Sequence, residues 1–122
     1  MTHTVLIVDD SPTEVSVVRK MLEDVGYRVL WAENAIAGIQ TAMQEQPDLI
    51  LMDVVMPGMS GFQATRKLKK TPETQKIPIL MLTTKDQRSD EAWGLKMGAQ
   101  RYMVKPPDRN RLLQEIRELI GG

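Results

Sequence analysis

Three uninterrupted apolar runs do most to limit what this chain can become. Val5-Leu6-Ile7-Val8, Leu49-Ile50-Leu51-Met52 and Ile79-Leu80-Met81-Leu82 contain no polar residue, and each gives way at once to one. A run this short and this apolar, bounded by turn residues, reads as a strand buried on both faces of a parallel sheet. Two weaker strands are predicted over residues 27–32 and 101–104.

Helical spacing fills the intervals. Ser11-Pro12-Thr13-Glu14 predicts a helix start, with proline at the first helical position and Glu14 closing a capping box on Ser11. Val15, Val18, Leu22 and Val25 form the inward face of that helix, and Gly26 suits its end. Asn34 caps a helix to Gln46 with Ile36, Ile39, Ala42 and Met43 inward. A third helix covers 62–70 and a polar loop 71–78. Asp86 and Ser89 are alternative starts for a helix ending at Gly98. Asp108 caps the last helix, whose inward residues are Leu112, Leu113, Ile116, Leu119 and Ile120. Five strand–helix alternations imply right-handed crossovers and helices on both faces of the sheet. The expected fold is a flavodoxin-like, doubly wound α/β sandwich with five parallel strands in the order 2-1-3-4-5.

Composition narrows the class of partner. Sixteen basic and sixteen acidic side chains cancel, so no net field draws the chain to nucleic acid or an anionic membrane. Arg66, Lys67, Lys69 and Lys70 read as a solvated helix face, because no aromatic residues interleave them. There is no cysteine for a disulfide or a zinc site. No apolar run approaches the roughly 18 residues of a membrane span. The expectation is one cytoplasmic domain over residues 1–122, without a linker or an output domain. Trp31 and Trp93 read as packing residues, and His3 as part of a terminal tail.

The polar residues at the strand ends carry the chemistry. Asp9 and Asp10 follow the first strand, Asp53 the third, Thr83 ends the fourth and Lys105 follows the fifth. In a parallel sheet these all project at one edge, where open α/β sheets bind their ligands. Three carboxylates so close are unfavourable alone; two unit charges 4 Å apart repel by about 4 kcal/mol at an effective dielectric near 20. Lys105 and a divalent metal are both candidates to offset them. Hard oxygen donors with no His or Cys nearby favour Mg²⁺. An acidic metal site beside a lysine and a hydroxyl suits phosphoryl transfer, with a carboxylate as nucleophile.

Along these same stretches the sequence resembles the response-regulator receiver domains of two-component signalling, of the single-domain CheY-like kind. The resemblance runs through Val8-Asp9-Asp10, Met52-Asp53-Val54-Val55-Met56-Pro57-Gly58, Leu82-Thr83, Gly98-Ala99 and Tyr102-Met103-Val104-Lys105-Pro106. It implies that Asp53 is the phosphoacceptor, Asp10 a direct Mg²⁺ ligand and Asp9 the holder of a metal-bound water. It makes the Val55 carbonyl a further ligand. Thr83 and Lys105 would bind the phosphoryl oxygens, Thr83 would move on phosphorylation, and Tyr102 would follow as the aromatic switch. The Lys105-Pro106 bond is expected to be cis.

The implied donor is a histidine kinase of the CheA-like type. The implied output is a protein target bound on the surface of the fourth helix, last strand and last helix. Gly61-Phe62-Gln63-Ala64-Thr65-Arg66, Thr71-Pro72-Glu73-Thr74 and Thr83-Thr84-Lys85-Asp86-Gln87 are similar to the response regulators of chemotaxis-like systems controlling type IV pilus motility. Two departures stand out: Thr84 replaces a common small residue, and Pro107 a common bulky apolar one. A phosphate sink for another regulator and a non-phosphorylated binding module are alternatives. An aspartyl-phosphate phosphatase would want a second acid two residues after its nucleophile, where this chain has Val55.

Overall fold

The computed structural model describes residues 2–121. Its elements alternate as β1 (Thr4–Val8), α1 (Pro12–Glu23), β2 (Arg28–Ala32), α2 (Ala35–Glu45), β3 (Leu49–Met52), α3 (Gly61–Lys70), β4 (Ile79–Thr83), α4 (Arg88–Met97), β5 (Arg101–Val104) and α5 (Arg109–Ile120). The strands form one parallel sheet in the order β2-β1-β3-β4-β5, as the sequence predicts. β3 and β4 are buried along their whole length, which is what their apolar runs require.

The pleat divides the strand side chains between two cores. Val5, Ile7, Leu49, Leu51, Leu80 and Leu82 pack against α1 and α5 through Val15, Leu22, Leu112 and Ile116. Leu6, Val8, Ile50, Met52, Ile79 and Met81 face the other way, against Ile39 and Ala42 of α2 and Ala64 and Leu68 of α3. Each fully enclosed side chain of this size contributes about 1.5–3 kcal/mol. The carboxyl ends of β1, β3 and β4 are therefore a stiff platform.

Several helix starts follow their caps: Asn34 Oδ1 accepts from the Ala37 N–H at 2.8 Å, and Asp108 Oδ2 from the Arg111 N–H at 2.9 Å. Other expectations need correction. α1 stops at Glu23, so Val25 lies beyond it and is exposed. α2 turns Ala35, Gly38, Ile39 and Ala42 inward, while Ile36 is 59% exposed and Met43 is also exposed. The cause is close packing on β1: a Cβ on Gly38 would meet the Val8 methyls at 2.8 Å, so this helix seats its small residues and rotates the larger ones out. α4 begins after Gln87, whose N–H donates to Asp90 Oδ2 at 3.2 Å; neither Asp86 nor Ser89 caps it. Lys69 leaves the solvated charge run, because its Nζ donates to the Ile77 carbonyl at 2.6 Å and burial lowers its pKa. Trp31 and Trp93 are both exposed rather than packed inside.

Candidate functional site

Backbone pairing continues one residue past three of the strands. The Asp9 N–H donates to the Ala32 carbonyl at 3.1 Å, the Asp53 N–H to Val8 at 2.9 Å and the Lys105 N–H to Thr83 at 2.8 Å. The pleat thus extends to the polar residues themselves. Asp9 follows Ile7, Asp53 follows Leu51 and Lys105 follows Met103 in the alternation, all on the α1–α5 side of the sheet. Thr83 and Tyr102 belong to the opposite side, in line with and beside Met81.

Asp9 and Asp53 are buried, at 5% and 7% exposure, and Asp10 faces solvent. Lys105 Nζ donates to Asp9 Oδ2 at 2.7 Å and lies 3.4 Å from Asp53 Oδ2. The Lys105-Pro106 peptide bond is cis, as expected. Burial draws the Lys105 ammonium down, but its bonds to Asp9 and Glu14 and the charges of Asp53 and Asp9 outweigh burial, and the net shift is upward. Burial pushes the Asp53 carboxyl up; the Lys105 charge opposes this, the Asp9 charge adds to it, and the Thr83 hydroxyl and Val55 amide oppose it without reversing it. The Val55 N–H donates to Asp53 Oδ1 at 3.3 Å. Thr83, wholly buried, accepts the Lys85 N–H on its hydroxyl at 3.3 Å.

Asp9, Asp10 and Asp53 each offer a carboxylate oxygen, and these oxygens lie within 4.8 Å of one another. An all-oxygen set of this charge fits a hard divalent cation such as Mg²⁺ better than a soft one. Beside it opens a hollow of about 550 Å³ bordered by Asp10, Asn34, Ile36, Pro57 and Met59. The five strand-end residues singled out in the sequence are thus brought to one edge, and Val55 stands beside Asp53.

Four contributors were not legible as site residues. Glu14 is bonded through Oε1 to the Lys105 ammonium. Trp31 donates its indole N–H to the Asp9 carbonyl at 2.8 Å, which pins the backbone of the acidic turn. Gly61 lies so near Asp53 that a Cβ there would fall 2.0 Å from the Asp53 carbonyl oxygen. Gly94 lets α4 approach Tyr102, whose ring carbon would lie 3.0 Å from a Cβ. The Tyr102 hydroxyl donates to the Lys85 carbonyl at 2.8 Å, and burial with the charges of Asp90, Glu91, Asp53 and Asp86 pushes its pKa up to about 12. Only Gly61 carried a signal, as a glycine soon after a Pro-Gly turn.

Fold and site together define a signalling module of the two-component type. The chain belongs to the response regulator receiver domain family, which matches residues 5–117; its members take a phosphoryl group from a histidine kinase. It is 52% identical over 118 residues to Protein PilH of Pseudomonas aeruginosa, a match covering 97% of this chain and 98% of that one. The receiver domain of sensor histidine kinase PA1611 from Pseudomonas aeruginosa, solved with a magnesium ion in its active site cleft, superposes with a TM-score of 0.91 at 30% identity, covering 100% of both chains. Chemotaxis protein CheY4 of Vibrio cholerae superposes with a TM-score of 0.90 at 32% identity, covering 98% of this chain and 99% of that one. Several other curated relatives are longer, and the chain spans about half of their length or less. Among the described residues no helix is long and apolar enough to cross a membrane.

Proposed function

We propose that Asp53 is the phosphoacceptor of this receiver domain and that Asp9, Asp10, Asp53 and the Val55 carbonyl hold Mg²⁺. The observation that carries this reading is the convergence of Asp53 with two further acids and Lys105 at one edge of the sheet. The Asp53 carboxylate oxygen attacks the phosphorus of a phosphohistidine, the P–N bond breaks, and the imidazole nitrogen keeps the electron pair and takes a proton from solvent. A bound Mg²⁺ supplies charge neutralisation for the transferring oxygens. Lys105 neutralises the same oxygens from the α5 side, and the Thr83 hydroxyl donates to one of them from the α4 side. Stiff packing of β3 keeps the nucleophile in place.

Phosphorylation acts as a switch by favouring one of two pre-existing states. Thr83 turning toward a phosphoryl oxygen gives up its acceptor role for the Lys85 amide. Lys85 also carries the carbonyl that holds the Tyr102 hydroxyl, so the two residues are linked through one backbone segment. Leu95 of α4 and Val104 of β5 are 44% and 43% exposed, so both elements leave an apolar side chain open to a protein target. The likeness of three segments to pilus-controlling regulators, together with the 52% identity to PilH, supports a cytoplasmic role in type IV pilus motility, with a CheA-like kinase as donor.

The test is phosphoryl uptake from acetyl phosphate with Mg²⁺, read as a mass increase. The unaltered chain should gain one phosphoryl group and Asp53→Ala none. Stoichiometric uptake by Asp53→Ala would overturn the assignment.

A further inference from the structure

Lys105 has a third partner that the phosphoacceptor reading does not use. The Glu14 carboxylate is bonded to the same ammonium that Asp9 holds and Asp53 approaches. Glu14 is the third residue of α1, where a capping box would turn it back onto the Ser11 N–H. That N–H is already taken, because it donates to Asp9 Oδ1 at 2.9 Å. Only the forward half of the box forms, with the Glu14 N–H donating to Ser11 Oγ at 3.3 Å. The Glu14 carboxylate is left to lean across to the lysine after β5.

We propose that Glu14 is a positioning residue that holds Lys105 back on the α1 side of the cleft, so that phosphoryl uptake at Asp53 requires the lysine to release this pair. The proposal rests on the reading of Asp53 as phosphoacceptor. At rest Asp9 and Glu14 each take one direction of the ammonium, and Asp53 Oδ2 at 3.4 Å lies beyond the usual N–H···O range of about 2.7–3.2 Å. The Glu14 side chain is 45% exposed against 8% for Lys105, so the restraining contact is at the mouth of the cleft. With acetyl phosphate as donor, an Asp53 oxygen bonds to phosphorus, the acyl P–O bond breaks and acetate leaves with the electron pair; no proton moves. The transferring oxygens need the lysine at the moment when Glu14 still competes for it.

Glu14→Gln keeps the length of the side chain and removes its charge. It should speed uptake from acetyl phosphate about threefold, the scale of one partly exposed ion pair, and tighten beryllofluoride binding by a similar factor. Glu14→Asp, which keeps the charge and shortens the reach, should fall between. In a Lys105→Met background, Glu14→Gln should no longer change beryllofluoride affinity, which separates action through the lysine from a general field or a loosened α1. Proton exchange at the Lys105 ammonium, followed by NMR with ¹⁵N-lysine, should quicken in the unphosphorylated Glu14→Gln chain and change little in the phosphorylated one, where the pair has already parted. Unchanged or slower uptake in Glu14→Gln, or an equal gain in the Lys105→Met background, would overturn the proposal alone. If the unaltered chain took up no phosphoryl group, the Asp53 reading would fall and this inference with it.

Discussion

Lys105 Nζ is bonded to Asp9 Oδ2 at 2.7 Å, a closer approach than its 3.4 Å to Asp53 Oδ2. In the resting molecule the lysine therefore belongs to the acid of the first strand, and the acid of the third strand has only its more distant charge. On the proposed reading, a phosphoryl group on Asp53 would extend outward from the carboxylate, into the region the ammonium already borders. The cation would then be held near the place where negative charge arrives, by groups other than the one that receives it.

Removing the amine should expose how much it offsets. Asp9 and Lys105 have side chains 7% and 8% exposed, so Lys105→Ala leaves Asp9 and Asp53 as buried acids without a cation. Stability in Mg²⁺-free buffer at neutral pH should fall by about 3 kcal/mol, as for other broken buried pairs. Urea unfolding measures this, and an unchanged midpoint would show that the lysine does not compensate the acids.

Asp10→Asn should act in the opposite sense. Asp10 is exposed and part of a group of three carboxylates whose oxygens lie within 4.8 Å. Losing one charge relieves repulsion and should stabilise the metal-free chain by about 1 kcal/mol. The same change would remove one of the acids proposed to hold Mg²⁺, so the stabilisation that Mg²⁺ would give by binding only the folded state should shrink. Unfolding midpoints of the two chains should cross as Mg²⁺ is raised; parallel curves would remove Asp10 from the metal site.

Two glycines, Gly58 of the β3–α3 connection and Gly61 at the start of α3, should separate backbone freedom from space. Gly61 has ordinary backbone but no room, with a Cβ 2.0 Å from the Asp53 carbonyl oxygen. Gly61→Ala should destabilise by about 1–3 kcal/mol, as overpacking does, and slow phosphoryl uptake because the loop must move with Asp53. Gly58 has φ of 79° and nothing near it, so Gly58→Ala should cost about 1 kcal/mol through backbone strain and leave uptake rates close to normal. Equal kinetic effects in both would show that the contact with Asp53 is not what Gly61 protects.

Much of this site was legible because strand parity is legible. The three apolar runs set the sheet, and counting by twos from Ile7, Leu51 and Met103 brings Asp9, Asp53 and Lys105 to one side of it. The same count brings Thr83 in line with Met81 on the other. Helix faces were harder to read, since Ile36 and Met43 look inward by spacing until Gly38 is seen against Val8. Glu14 reads as part of a capping box, although Asp9 two residues before Ser11 takes the Ser11 amide and Lys105, far along the chain, takes the Glu14 carboxylate. Trp31 reads as a packing residue because its bond to the Asp9 carbonyl depends on the β1–β2 register. What the sequence hides are contacts between residues far apart along the chain whose local roles look already filled.

The aromatic residue of β5 offers a pH test with a definite sign. The Tyr102 pKa is pushed up to about 12, first by burial and then by the charges of Asp90, Glu91, Asp53 and Asp86. In the unfolded chain the phenol ionises near its ordinary value of about 10. Between these two values the unfolded state binds fewer protons than the folded one, so stability should fall as pH rises through that window and be insensitive to this group below it. Tyr27, the other of the chain's two tyrosines, is also shifted upward by burial, partly offset by the Arg117 charge. Tyr102→Phe should therefore flatten the alkaline decline without abolishing it, and should remove the latest-titrating tyrosinate absorbance after a pH jump. If the absorbance lost in Tyr102→Phe titrates near 10, the acids around α4 do not act on the phenol, and its bond to the Lys85 carbonyl is not maintained in solution.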